Sequence, residues 1–164
     1  MGAVQVNRFR GNRWLRGALR AIATGFGAGF CPVAPGTAGT LLALPLWYWS
    51  GGWGTRHFLL LAAVLLVSVP SANQEVEATG NADPGSVVID EIAGMLLAAT
   101  AIPWSLRSAA ILFLLFRLFD ILKPWPIHWV DRRVGGGVGI MADDLLAGLY
   151  AAALLHAAAW WLGA

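Results

Sequence analysis

All nine carboxylates of this 164-residue chain fall between Glu75 and Asp144, in a sequence that is otherwise apolar. Two pairs are adjacent, Asp90-Glu91 and Asp143-Asp144; Asp120 stands three residues before Lys123, and Asp131 directly precedes Arg132 and Arg133. Only 12% of the residues are charged and 58% are hydrophobic, where an average soluble domain is roughly 25% charged. Nine tryptophans suit a chain that meets a membrane interface. The composition predicts an integral membrane protein, with a very apolar soluble helical bundle as the alternative. In a membrane protein each buried carboxylate is costly, so a concentrated acidic set marks a site.

The apolar segments predict an all-α, multi-pass membrane bundle formed by a single domain, 1–164. They cover 41–49 (starting as early as Thr37), 57–69, 87–102, 109–122 and 145–162. Several are shorter than the ~20 residues of a perpendicular span, so about four or five crossings are expected. Segment 25–40 is dense in glycine and proline and predicts loop or broken helix. Residues 1–24, with Arg8, Arg10, Arg13, Arg16 and Arg20 beside Trp14 and Leu15, predict a basic amphipathic segment at a membrane surface. Segment 21–30 is too glycine-rich for the apolar core of a signal peptide, so the N-terminus reads as retained.

Charge bias sets the orientation. An arginine-rich N-terminus in the cytosol obeys the positive-inside rule. Five crossings then leave Arg56 and Arg107 outside and bring 25–40, 71–86 and 123–144 to the cytosolic face. All nine carboxylates fall at or near that face. Glu75 and Glu77 lie in the expected loop 71–86, where solvation accounts for them.

Three constellations carry chemistry. In 83–94, Asp83-Pro84-Gly85 is a turn, Ser86 a plausible N-cap, and Asp90 and Glu91 lie about one turn into an apolar helix. In 116–126, Arg117, Asp120 and Lys123 partly share a helical face; two cations beside a carboxylate suit a phosphate near a metal, and a plain intrahelical ion pair is the alternative. In 131–148, Gly135-Gly136-Gly137 and Gly139 offer a backbone able to approach a ligand, and Asp143-Asp144 then open the last apolar helix, where capping explains only one of them. So many carboxylates suggest a hard divalent cation, typically Mg2+. His57, His128 and His156 are isolated, which argues against zinc and for structural roles. Cys31 is the single cysteine, so no intrachain disulfide forms. A net charge of +2, with arginines scattered among apolar residues, argues against nucleic acid.

GAGFCPVAPGTAGT at 27–40, SVVIDEIAG at 86–94, FRLFDILKPWPI at 116–127 and GGVGIMADDLLAG at 136–148 together resemble the bacterial phosphatidylglycerophosphatase A family. Cys31 and Thr40 stand where that family often has serine. The resemblance implies an all-α fold and Mg2+-dependent hydrolysis of phosphatidylglycerophosphate to phosphatidylglycerol and phosphate in the bacterial inner membrane. By motif match it implies Asp90, Glu91, Asp143 and Asp144 as metal ligands and Asp120 as a further catalytic acid. It implies Arg117, Lys123 and Arg132 at the phosphate, Thr37 near the headgroup, and Asp83 and Asp131 in support. The implied partner is a phospholipid; oligomeric state stays open. The rival from another class is a small transporter, because intramembrane carboxylates also line cation pathways.

Overall fold

In the computed structural model, which describes residues 12–162, the apolar segments form seven α-helices, with no strand among the described residues. They are α1 (Arg13–Ala23), α2 (Pro35–Ser50), α3 (Gly54–Thr79), α4 (Ile89–Ala98), α5 (Leu106–Leu122), α6 (Ile127–Arg133) and α7 (Gly136–Leu162), with a 3-10 turn at Ala28–Phe30. Of the basic segment 1–24, Arg8 and Arg10 lie outside the described residues. The rest contains α1, started by Asn12, whose Oδ1 accepts from the Trp14 and Leu15 amides. Leu19 and Ala23 are its buried face, while Trp14 and the arginines 13 and 16 are exposed.

α4 is the core. Ile89, Ile92, Ala93, Met95, Leu96 and Ala98 are all buried, and α2, α3, α5 and α7 pack around them. Ten residues rise only about 15 Å, half the hydrocarbon thickness, so α4 is enclosed by protein rather than facing lipid. At its contact with α7 the backbones touch. A Cβ on Gly94 would lie 2.6 Å from the Asp144 carbonyl oxygen, and one on Gly148 2.3 Å from that of Gly94. Only glycine permits this approach.

The Trp47 indole donates to the Ile102 carbonyl, the Ala101 amide donates to that of Gly52, and Trp104 stacks edge-on with Trp47. The C-terminal ends of α2 and α4 therefore meet the start of α5. α2, α4 and α7 run in one direction while α3 and α5 return. By length and composition, α3 and α7 are apolar and long enough to cross a membrane. Leu66 and Trp160 on them are about four-fifths exposed, as lipid-facing side chains would be.

Three boundaries differ from expectation. Residues 35–40 are helical, because Pro35 suits a first turn and Gly36 and Gly39 allow close packing. α7 starts at Gly136, so Gly136, Gly137 and Gly139 are helical and Asp143-Asp144 lie two turns in, where they cap nothing. α3 continues through Pro70 to Thr79. That continuation buries Glu75 completely, which corrects its reading as a solvated loop residue: its carboxylate pairs with Arg20 and accepts from the Ser86 hydroxyl. Ser86 is thereby engaged elsewhere, and α4 begins after Val88 without a side-chain cap.

At the opposite end, buried His57 bridges Ser50 (Nδ1, 2.9 Å) and Thr100 (Nε2, 3.1 Å). His57→Ala leaves a cavity and takes one partner from each of two hydroxyls, which keep only their bonds to the Trp47 and Leu96 carbonyls, costing about 2–4 kcal/mol. The expected result is a lower melting temperature with unchanged turnover in the folded fraction.

Candidate active site

Three helices begin at one cavity of about 470 Å3. Its wall includes Pro35 and Gly36 of α2, Asp90 and Glu91 of α4, and Gly136 and Gly139 of α7. Residues 82–85 and 87 of the loop before α4, Arg117 and Asp120 on α5, Lys123 and Asp131, and Asp143 and Asp144 on α7 also line it. A helix N-terminus carries partial positive charge, so three of them favour carboxylates and other anions here. α2 starts with no side-chain cap, leaving its first amides for another acceptor. A Cβ on Gly36 would stand 2.2 Å from Glu91 Oε1 and 3.0 Å from Arg117 Nη1, so the α2 backbone lies against the charged groups themselves.

Asp90, Glu91 and Asp144 each offer an oxygen, and the three oxygens lie within 4.8 Å of one another. Asp90 and Asp144 are buried. Asp90 Oδ1 also accepts the Glu91 amide, at 3.1 Å. Glu91 Oε2 is buried without a hydrogen-bond partner. Three gathered carboxylates in an apolar core repel one another and lack solvation, so part of their charge must be neutralised, by protons or by a cation among them. The donor set is all oxygen, which suits Mg2+ or Ca2+ and not a soft metal. The Gly94 contact with Asp144 brings the α4 acids to the α7 acid.

The cations differ from one another. Arg117 Nη1 lies 2.6 Å from Asp120 Oδ2 and 3.9 Å from Glu91 Oε1. The first is a close ion pair without hydrogen-bond geometry and the second is too long for a hydrogen bond, while Nε is buried with no partner at all. A guanidinium so placed can still take two oxygens of an anion. Lys123, in a left-handed conformation at the end of α5, is engaged: Nζ donates to Asp131 Oδ1 and, at 2.6 Å, to Asp143 Oδ2. Burial works against its charge, but these two carboxylates outweigh that and raise its pKa. The Lys123 hydrogen bond in turn holds Asp131 below the usual carboxylate range.

Of the residues singled out in the sequence, Asp83, Asp90, Glu91, Arg117, Asp120, Lys123, Asp131, Asp143 and Asp144 line the cavity. Asp143 stands beside the three-carboxylate group, bound to Lys123 through one oxygen and with Oδ1 buried and unpartnered. Thr37 is half-buried in the first turn of α2 and Arg132 is exposed on α6; neither is in the wall. In the sequence Gly36 is one of a glycine- and proline-rich stretch and carries no signal of the helix start it forms. Asn73 carried none, yet its Oδ1 accepts the Gly137 amide and anchors the start of α7 to α3.

Residues 21–159 match the family model described as Phosphatidylglycerophosphatase A. The chain is 40% identical over 139 residues to the Phosphatidylglycerophosphatase A of Escherichia coli, covering 82% of this chain and 80% of that protein. It is 38% identical over 152 residues to the Phosphatidylglycerophosphatase A of Haemophilus influenzae, covering 88% and 90%. It is also 39% identical over 159 residues, covering 87% and 94%, to a Bacteroides thetaiotaomicron protein named provisionally as a phosphatidylinositol-3-phosphatase. No solved structure matches the chain.

Proposed function

The chain belongs to the phosphatidylglycerophosphatase A family, and from that premise we propose that it hydrolyses phosphatidylglycerophosphate to phosphatidylglycerol and phosphate at a Mg2+ site formed by Asp90, Glu91 and Asp144. The observation that carries the chemistry is the gathering of these three carboxylates within 4.8 Å, in one cavity wall with a guanidinium that has donors to spare. When bound there, the cation supplies Lewis-acid stabilisation of the charge that builds on the phosphoryl oxygens. Arg117 offers its unpartnered Nε to the same oxygens, while the ion pair of Nη1 with Asp120 holds the guanidinium in place. The uncapped start of α2 adds amide donors on that side. Lys123 ties Asp131 to Asp143, bringing a second cation to the wall. Thr37 and Arg132 suit the headgroup beyond the wall.

We place the protein in the bacterial inner membrane as one domain, with the cavity at the cytosolic face. Five passes of the chain, α2 to α5 and α7, support a multi-pass topology in which α4 is wholly enclosed. Arg13, Arg16, Arg20, Arg132 and Arg133 belong to elements at the cavity end, while Arg56 and Arg107 start the two returning helices. This is the bias of the positive-inside rule. A transporter would string its acids along the bundle, whereas here they converge at one end beside a phosphate-sized set of donors.

The substrate is tested by phosphate release from the purified protein on phosphatidylglycerophosphate, phosphatidic acid and phosphatidylinositol 3-phosphate. Release from the first at the highest kcat/KM is expected; release only from one of the others overturns the assignment. Arg117→Lys keeps the charge and loses the fork, so kcat/KM should fall by about 10²-fold. A loss under threefold would remove Arg117 from the phosphate.

A further inference from the structure

Glu75 lies outside the cavity wall, yet its carboxylate holds two separate elements. Oε2 accepts from Arg20 Nε of α1 at 2.8 Å, and Oε1 accepts from Ser86 Oγ at 2.9 Å. Ser86 belongs to the loop between α3 and α4, whose residues 82–85 and 87 line the cavity and which leads into Asp90 and Glu91 within one turn. Two backbone contacts run beside this link. The Val88 amide donates to the Ala23 carbonyl at the end of α1. A Cβ on Gly29 would lie 2.0 Å from the Ser86 carbonyl oxygen, so the segment after α1 lies directly on the loop. The Glu75 side chain is 1% exposed and Arg20's is 46% exposed.

A buried ion pair adds little net stability over well-packed apolar residues, whereas its geometry fixes the groups it joins. Resting on the phosphatase reading above, we propose that Glu75 is a positioning residue for the active site: by holding Arg20 and Ser86 it locks the cavity loop, and through it Asp90 and Glu91, to α1. The outward face of α1 carries Arg13, Trp14 and Arg16. The relay Arg20–Glu75–Ser86 therefore connects the helix suited to the membrane surface with the acidic residues of the site. Without the relay the loop is free to shift, and the two carboxylates lose their register with Asp144. Arg117 is held chiefly by Asp120 of its own helix, at 2.6 Å against 3.9 Å to Glu91, so the defect belongs more in kcat than in KM.

The test uses the full chain in mixed micelles, with Glu75→Gln, Ser86→Ala and Ser86→Thr beside wild type. Two quantities are read: kcat and KM for phosphatidylglycerophosphate, and amide hydrogen exchange of peptides covering 80–91. Glu75→Gln and Ser86→Ala should lower kcat about tenfold, the lower end of effects seen for outer-shell partners of metal ligands, with KM within about twofold. Both should speed exchange across 80–91, and Ser86→Thr, which restores the hydroxyl, should recover both. Ser86→Ala removes one oxygen and leaves the core intact, so it decides the matter if Glu75→Gln fails to fold. Wild-type kcat and wild-type exchange in Ser86→Ala overturn the positioning role. A wild-type protein that releases no phosphate defeats the phosphatase reading instead, and the exchange comparison still decides whether Glu75 holds the loop.

Discussion

Asp144→Asn is expected to move activity and metal-free stability in opposite directions. Turnover should fall by about 10³-fold or more, because the substitution removes charge from the group that balances the cation and the phosphoryl transition state. Melting temperature in chelator should rise, because Asp144 is buried within 4.8 Å of two other carboxylates. Relieving that crowding is worth on the order of 1–3 kcal/mol, a shift of several degrees for a chain of this size. Added Mg2+ should then raise the melting temperature of wild type and leave Asp144→Asn almost unmoved. A catalytic carboxylate held against its neighbours behaves this way, whereas a structural one would lose stability when neutralised. Scanning calorimetry or dye-monitored melting, with EDTA and with Mg2+, separates the two. A variant that melts lower in EDTA and keeps its Mg2+ response would contradict the site.

The second large effect comes from two glycines that contribute no functional group. In Gly94→Ala the new Cβ meets the Asp144 carbonyl oxygen at 2.6 Å and Phe116 Cε2 at 2.8 Å. In Gly148→Ala it meets the Gly94 carbonyl oxygen at 2.3 Å. Backbone atoms cannot rotate aside, so α4 and α7 must separate. Overpacking of this kind costs about 1–3 kcal/mol. The functional loss should be larger, since a displacement near 1 Å at a reacting centre costs about 10²-fold. Here the displaced parts are Asp90 and Glu91 on one helix and Asp144 on the other. Each variant should therefore keep its helical circular dichroism, melt several degrees lower and release phosphate about 10²-fold more slowly at temperatures where it is folded. Activity within threefold of wild type would mean that the α4–α7 contact does not set the site.

Much of this was legible in the sequence, for identifiable reasons. Asp90-Glu91 and Asp143-Asp144 stand out because acids are rare in apolar helices, and helical pitch already separates the members of each pair. What the pitch does not supply is the partner. Asp144 joins Asp90 and Glu91 while Asp143 turns to Lys123, a division that depends on how α7 sits against α4. Helix starts are hidden wherever glycine and proline cluster. Gly36 and Gly136 look like loop residues in isolation, but tertiary packing makes each the first turn of a helix at the cavity. Glu75 is obscured for the same reason. Pro70 and the polar run after it suggest a loop, yet burial against α1 and α4 extends α3 by more than two turns and gives the carboxylate its partners. Local signals named the charged residues; the glycine contacts and the relay through Glu75 needed three dimensions.

The most direct test of the central claim is phosphate release from phosphatidylglycerophosphate by the purified protein as Mg2+ is titrated, with Asp144→Asn measured alongside. Wild type should show no release in EDTA and a saturable rise with Mg2+, while Asp144→Asn stays at the EDTA baseline throughout. Undiminished release in EDTA, or a wild-type response from Asp144→Asn, would contradict a metal-dependent phosphatase site built on Asp90, Glu91 and Asp144.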